Sequence, residues 1–419
     1  MLKRLTIKNF KAIQDMTIEF TPLTVLIGGN GCGKSTVLQA LDFLRSAAIR
    51  DIPVYLEMHK WTIAELKSKL NDGQNKPIEF ISSFVFSENV VDWYFIVDFT
   101  EDKWSVRELF CVNGKGVISY RTMPNIFDGM AIPEIPQPFV NITLSSSTLK
   151  VIDDYLEQMD FGKNEIYELQ KYLKQSSFLD VLSPETIRGF SANQRITRIG
   201  YKGENLKSFI HSLDDTSKNE LNKIISEIIG FQITVMTFST GEGITMELEI
   251  HHEKETIKID SLHISDGLLR IIVFAAIKME RLILRYGKSD GGIQIKADGK
   301  YSYKGWTECE CGFILIDEIE NGVNPYITEK IITLLRDITN TQGRQIIFTT
   351  HSPVILNDIN PDYINLLWKD KSGSVYCRKL FSISELYDSL DFLSPGDAWM
   401  NIREEDLLAK ASSEPEDKE

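Results

Sequence analysis

Gly28-Gly29-Asn30-Gly31-Cys32-Gly33-Lys34-Ser35-Thr36 fits the pattern G-x-x-x-x-G-K-[ST], whose backbone N–H groups cradle the phosphates of a nucleotide. Its flanks supply the context the pattern needs. Leu23-Thr24-Val25-Leu26-Ile27 precedes it, a short apolar run that reads as a buried parallel strand. Lys34 to Leu44 follows, with Leu38, Leu41 and Leu44 at helical spacing. Strand, glycine loop and helix in that order aim a helix N-terminus at an anion. Lys34 then reaches the β- and γ-phosphates and Ser35 ligates Mg²⁺, while Gly28, Asn30, Gly31, Gly33 and Thr36 complete the binding loop.

A second apolar run, Phe313-Ile314-Leu315-Ile316, ends in Asp317-Glu318. It reads as another buried strand that delivers two carboxylates to the C-terminal edge of a sheet, where open α/β sheets bind their ligands. Asp317 suits the Mg²⁺ shell, and Glu318 suits the general base that polarises an attacking water. Such a pair is more often a solvated turn; the preceding strand and the upstream loop favour catalysis.

Two further stretches extend the set. In His263-Ile264-Ser265-Asp266-Gly267-Leu268-Leu269-Arg270, Ser265 is placed as the N-cap of an apolar helix running to about Leu284. A second phosphate-seeking helix start is superfluous in a simple kinase, but a dimeric ATPase needs one: Ser265 and Gly267 of one subunit close on the γ-phosphate held by the other. Gln345-Ile346-Ile347-Phe348-Thr349-Thr350-His351-Ser352-Pro353 is a third buried strand with a histidine at its end, where a γ-phosphate sensor belongs. Between them, Glu320-Asn321-Gly322-Val323-Asn324-Pro325 is a polar turn able to face an opposite subunit.

In this order the motifs resemble those of ABC-type ATPases of the SMC, RecF and OLD group: Walker A at Gly28 to Ser35, signature at Ser265 to Gly267, Walker B at Ile314 to Glu318, D-loop at Glu320 to Pro325, switch histidine at His351. Leu5-Thr6-Ile7-Lys8-Asn9-Phe10-Lys11 is similar to that group's first strand. The combination of Ser-Asp-Gly-x-x-Arg, Asp-Glu-x-Glu-Asn-Gly and Thr-His-Ser-Pro is most similar to the compact ATPases of bacterial anti-phage defence, of the Septu type. The likeness covers about residues 1–45 and 230–390. It implies an α/β fold: an ABC-type P-loop head, a mixed sheet with flanking antiparallel strands, carrying an inserted helical lobe. It also implies ATP and Mg²⁺ as cofactors, with Glu318 and His351 in catalysis, and a homodimer.

The rest of the sequence is less specific. At 419 residues, 42% hydrophobic and 25% charged, the chain can form one large or two moderate cores. No run is long and apolar enough for a membrane span and no leader precedes the first strand, so a cytoplasmic protein is expected. Net charge is −14, which argues against a generally DNA-coating surface without excluding a local basic patch. Cys309 and Cys311 have no second pair to complete a zinc site, and His59, His211, His251 and His252 lack metal-ligand spacing. The aromatic run from Ile78 to Tyr120 reads as antiparallel strands, with core packing favoured over a nucleic-acid platform. Pro133, Pro136 and Pro138 mark a break. Thr148 to Phe178 and Asn205 to Ile229 read as helices without sustained heptads, and Phe231 to Ile250 as a hairpin. The domains are therefore expected at 1–140 and 231–400 for the head, 141–230 for the helical lobe, and 401–419 for a disordered acidic tail. Gln74 is the nearest candidate for a Q-loop glutamine, and Gly287 to Gly312 reads as an exposed hairpin.

The sequence thus reads as an ATPase that dimerises around Mg·ATP. It has no hydrolytic site for nucleic acid and would gate a separate effector, an HNH-type nuclease, in anti-phage defence. Direct nucleic-acid binding stays open. The alternative is a RecF-like repair ATPase acting on DNA without an effector; the motor of a membrane transporter is disfavoured by Ser-Asp-Gly-Leu-Leu at the signature.

Overall fold

The computed structural model of the chain describes residues 1–70, 73–100, 103–120, 147–150, 163–180, 182–241, 243–251, 253, 255–280, 293–295, 301–303 and 312–413. In chain order its strands are β1 (Leu2–Phe10), β2 (Ile13–Glu19), β3 (Leu23–Ile27), β4 (Ile78–Phe86), β5 (Asn89–Thr100), β6 (Lys103–Val112), β7 (Lys115–Tyr120), β8 (Ser177–Leu179), β9 (Ile233–Thr240), β10 (Gly243–His251), β11 (Thr256–Asp260), β12 (Ile293–Ile295), β13 (Tyr301–Tyr303), β14 (Phe313–Ile316), β15 (Gln345–Thr349), β16 (Ile364–Lys369) and β17 (Val375–Lys379).

The chain divides into two compact units, Met1–Val181 with Gly312–Thr339 and Gln345–Glu419, and Leu182–Cys311 with Asn340–Arg344. The first unit holds two six-stranded sheets. One has the order β17-β16-β3-β15-β14-β8, parallel from β16 to β8, with β17 antiparallel at its edge. Every residue of β3, β14 and β15 is buried, as expected of central parallel strands covered on both faces. The other sheet, β2-β1-β4-β5-β6-β7, is antiparallel throughout. Its alternation is that of a sheet with one face on the core: Leu2, Leu5, Ile7 and Phe10 of β1 are buried and their neighbours are less so. Phe80, Phe84, Trp93 and Phe95 are core residues, which favours packing over a nucleic-acid platform.

The helix Lys34–Ala47 packs on β8, β14 and β15 of the parallel sheet, and its Phe43 packs on the antiparallel sheet. Its ring lies 5.9 Å from Phe10, 5.7 Å from Phe80 and 5.3 Å from Tyr55, within the range of favourable aromatic pairs.

The second unit contains the antiparallel sheet β11-β10-β9 and the helices Pro184–Arg188, Leu206–Ser212, Asp215–Ile229 and Asp266–Met279. Asp215–Ile229 packs on β9 and on Asp266–Met279. This differs from the expected boundaries. Residues 231–311 group with the second unit because β9 and β10 close a core against the helices before them. Lys163–Gln175, expected in the lobe, packs on β4, β5 and β14 and groups with the first unit. Asn205 to Ile229 is two helices, broken where Asp214 caps the second by accepting the Ser217 N–H at 2.7 Å. The stretch expected as tail is helical from Glu404 to Ser413, anchored by buried Leu407 and Ala411; residues 414–419 lie outside the described residues. Of the expected Gly287 to Gly312 hairpin, β12 pairs antiparallel with β13, Ile293 opposite Tyr303. Residues 287–292, 296–300 and 304–311 of that stretch, Cys309 and Cys311 among them, and the 133–138 break lie outside the described residues. Among the described residues no helix is long and apolar enough to cross a membrane.

Candidate functional site

β3 ends at Ile27 and the chain turns through Gly28, Gly31 and Gly33, all at positive φ (138°, 70° and 103°), a region closed to most side chains. Gly28 is constrained twice, since a Cβ there would lie 2.1 Å from the Leu367 carbonyl oxygen. Gly33 is the N-cap residue of Lys34–Ala47 and no side chain caps that helix, leaving first-turn N–H groups to an external acceptor. Lys34 is buried, and its Nζ donates to the carbonyl oxygens of Gly28 and Gly29, each at 3.0 Å. Gly29 and Asn30 are exposed, and Ser35 and Thr36 half-buried, at the mouth of the loop.

Asp317 and Glu318 follow β14, and His351 lies two residues past β15, so both reach the same strand-end edge as the loop after β3. Asp317 is buried, and its Oδ1 accepts the Thr349 hydroxyl at 2.6 Å. Glu318 is half-buried with φ 48°, an unusual backbone for a non-glycine residue and one that clusters at functional sites. Its N–H donates to Thr349 Oγ1 at 2.7 Å, and its Oε2 accepts Asn321 Nδ2 at 3.4 Å. The His351 N–H donates to Glu320 Oε1 at 2.5 Å, and the residue itself is exposed.

Ser265 caps Asp266–Met279, accepting the Leu268 N–H at 3.4 Å, and is exposed; Gly267 is half-buried. Asp266 pairs with Arg188 at 2.5 Å, and the same guanidinium donates to the Ile264 carbonyl, fixing the approach to the cap. These residues belong to the second unit, whereas Gly28 to Thr36, Asp317, Glu318 and His351 belong to the first. Glu280, at the C-cap, is extended (φ −63°, ψ 96°), so the helix ends at Met279, short of the expected Leu284. Gln74 is exposed on a single 3-10 turn and accepts no assignment from its surroundings.

Three site residues escaped the sequence reading. Thr349 and Glu320 stand inside quoted motifs, but their roles depend on which strand ends lie side by side. Glu404 comes from the stretch read as tail; a Cβ on Gly29 would lie 3.0 Å from its Oε1. Leu407 and Ala411, apolar at i and i+4, were the signal for that helix.

The donor set suits a nucleotide with a hard cation. Ser35 and Asp317 offer oxygen only, and Mg²⁺ is ordinarily bound by one or two protein oxygens with phosphate and water rather than by a protein cage. Among the described residues no cluster of three or more His, Cys, Asp or Glu could hold a metal by itself.

A family model described as the AAA ATPase domain matches residues 1–264. The chain is 20% identical over 388 residues to the OLD nuclease of Thermus scotoductus, a match covering 90% of this chain and 63% of that protein. It is 23% identical over 442 residues to the Old nuclease of Escherichia phage P2, covering 99% of this chain and 68% of that protein. It thus spans about two thirds of the length of these curated relatives. The crystal structure of an SMC head bound to the C-winged helix domain of ScpA is similar with a TM-score of 0.52 at 15% identity, over 90% of this chain and 96% of that one; the likeness is one of fold.

Proposed function

Because the chain belongs to the AAA ATPase domain family and has the mixed-sheet fold of ABC-type ATPase heads, we propose that it binds and hydrolyses Mg·ATP and uses nucleotide occupancy to gate a separate effector. One observation carries the reading. The glycine loop, the Asp317-Glu318 turn and His351 leave three neighbouring parallel strands at one edge, with Glu318 held at φ 48°.

Lys34, Ser35 and the uncapped first turn of Lys34–Ala47 hold the phosphates. Ser35 and Asp317 hold the Mg²⁺, which when bound neutralises phosphate charge. Glu318 orients and deprotonates the attacking water, and His351 senses the γ-phosphate. Ser265 and Gly267 complete the nucleotide site of a second copy in a head-to-tail dimer, which accounts for an exposed, geometrically fixed helix cap.

The two curated relatives are nucleases by name. The motif combination resembles that of the Septu-type ATPases, and on that likeness we infer that this chain supplies the nucleotide-driven part and that an HNH-type nuclease partner does the cutting, in anti-phage defence. A nucleotide controls such a partner only through its different affinities for the occupied and empty states.

The test is hydrolysis and binding by paired variants. Lys34→Ala should lose nucleotide binding. Glu318→Gln should keep binding and lose turnover by roughly 100-fold or more, the scale of general-base loss. Turnover by Glu318→Gln at the wild-type rate would remove Glu318 from the mechanism.

A further inference from the structure

Thr349 is fully buried at the last position of β15, and its hydroxyl is used in both directions. It accepts the Glu318 N–H at 2.7 Å and lies 2.6 Å from Asp317 Oδ1. A backbone N–H can only donate, and a hydroxyl has one proton. The hydroxyl proton is therefore committed to Asp317 Oδ1, and the direction of both bonds is settled by chemistry. The Thr349 carbonyl oxygen also accepts the Ile319 N–H at 3.2 Å. One residue thus grips three consecutive residues of the acidic turn, including the one at positive φ.

We propose that Thr349 is a positioning residue for the reaction, holding the Asp317 carboxylate and the Glu318 backbone in register; the inference rests on the function proposed above. By occupying Oδ1 it leaves Oδ2 as the oxygen to serve the metal. Among the described residues Oδ2 has no protein donor. By accepting the Glu318 N–H it stabilises the left-handed backbone that aims the general base. The hydroxyl couples metal holding to base aiming.

The test compares Thr349→Val, which keeps the shape and removes the hydroxyl, with Thr349→Ser, which keeps the hydroxyl and loses a methyl. The first readout needs neither nucleotide nor metal. Amide hydrogen exchange at Glu318 should be slow in wild type and Thr349→Ser, and fast in Thr349→Val. The second is Mn²⁺ affinity with a non-hydrolysable ATP analogue, together with kcat and KM. Loss of a hydrogen-bonded partner of a metal ligand typically costs about 10- to 100-fold. Thr349→Val should weaken Mn²⁺ and lower kcat on that scale with KM for ATP nearly unchanged, and Thr349→Ser should stay within about threefold of wild type by the same measure. Equal damage from Ser and Val would mean that the methyl packing matters and would overturn the proposal, as would unchanged Glu318 exchange in Thr349→Val. Should Thr349→Val not fold, Thr349→Ala against Thr349→Ser decides by the same criteria. If wild-type hydrolysis is itself absent, the proposed function fails, and Glu318 exchange alone decides the clamp.

Discussion

Gly28 carries two separate demands, and they give it the least replaceable backbone in the loop. A φ of 138° alone costs a residue with a side chain about 1–3 kcal/mol, and the Leu367 carbonyl leaves no room for a Cβ. Gly28→Ala should therefore displace the loop, abolish nucleotide binding and lower the melting temperature, whereas Lys34→Ala should abolish binding with little effect on melting. Nucleotide titration alongside thermal melts separates the two; a Gly28→Ala protein that binds ATP normally would contradict the steric argument. Asn30, exposed in the same loop, carries no such constraint.

At the level of elements, β5 and β6 bury a carboxyl group. Glu108 accepts Trp93 Nε1 at 2.9 Å and the Thr148 N–H at 2.7 Å. Burial nevertheless pushes its carboxyl up to about 7, against the hydrogen bonds from Ser147, Thr148 and Trp93. Below the ordinary carboxyl value both folded and unfolded chains keep the proton. Between that value and about pH 7 only the unfolded chain releases it, so this contribution to stability is full in acid and is lost as pH rises, by about 3 kcal/mol in total. The urea midpoint of the first unit should accordingly fall between pH 5 and 7.5, and Glu108→Gln should flatten that slope. The amide has a single acceptor oxygen and can take only one of the Trp93 and Thr148 N–H groups, so slopes rather than absolute stabilities are compared; parallel slopes would contradict the prediction. Element by element, the strands β3, β14 and β15 were legible because each carries a run of three or four consecutive apolar residues, which have few other places to go. β8 was not: Ser177 and Phe178 were read as the end of a helix, and a strand of three residues is too short for any period to emerge. Its pairing with β14, Ile314 opposite Ser177, decides its conformation. β11 escaped for a similar reason, its residues being mostly exposed and charged or polar, with only the edge of β10 to define it. Thr349 and Glu320 were legible as letters of a motif and not as bonds, because those bonds exist only once β14 and β15 lie side by side.

For the whole molecule, the proposed head-to-tail dimer assigns Ser265 and Gly267 of one copy to the nucleotide held by the other, and paired variants test it. Ser265→Arg and Lys34→Ala proteins should each be inactive alone, and heterodimers of the two should recover up to about half of the wild-type activity per dimer, since one of the two composite sites is intact. Heterodimers demonstrated by pull-down yet fully inactive would count against the head-to-tail pair. The placement of β3 has another consequence, in the order of events during synthesis. β3 is made within the first thirty or so residues, but among the described residues its strand neighbours are β15 and β16, and the loop after it leans on Leu367, Val375 and Glu404. At about 5–20 residues per second the ribosome takes roughly 15 to 60 s to travel from Ile27 to Gln345. Throughout that interval the apolar run Leu23–Ile27 has no sheet to enter and is a natural hold for chaperones. The glycine loop therefore cannot take its folded form until Gln345 and the segments through Glu404 have been made, and a nascent chain shorter than that has no formed site for a nucleotide to occupy.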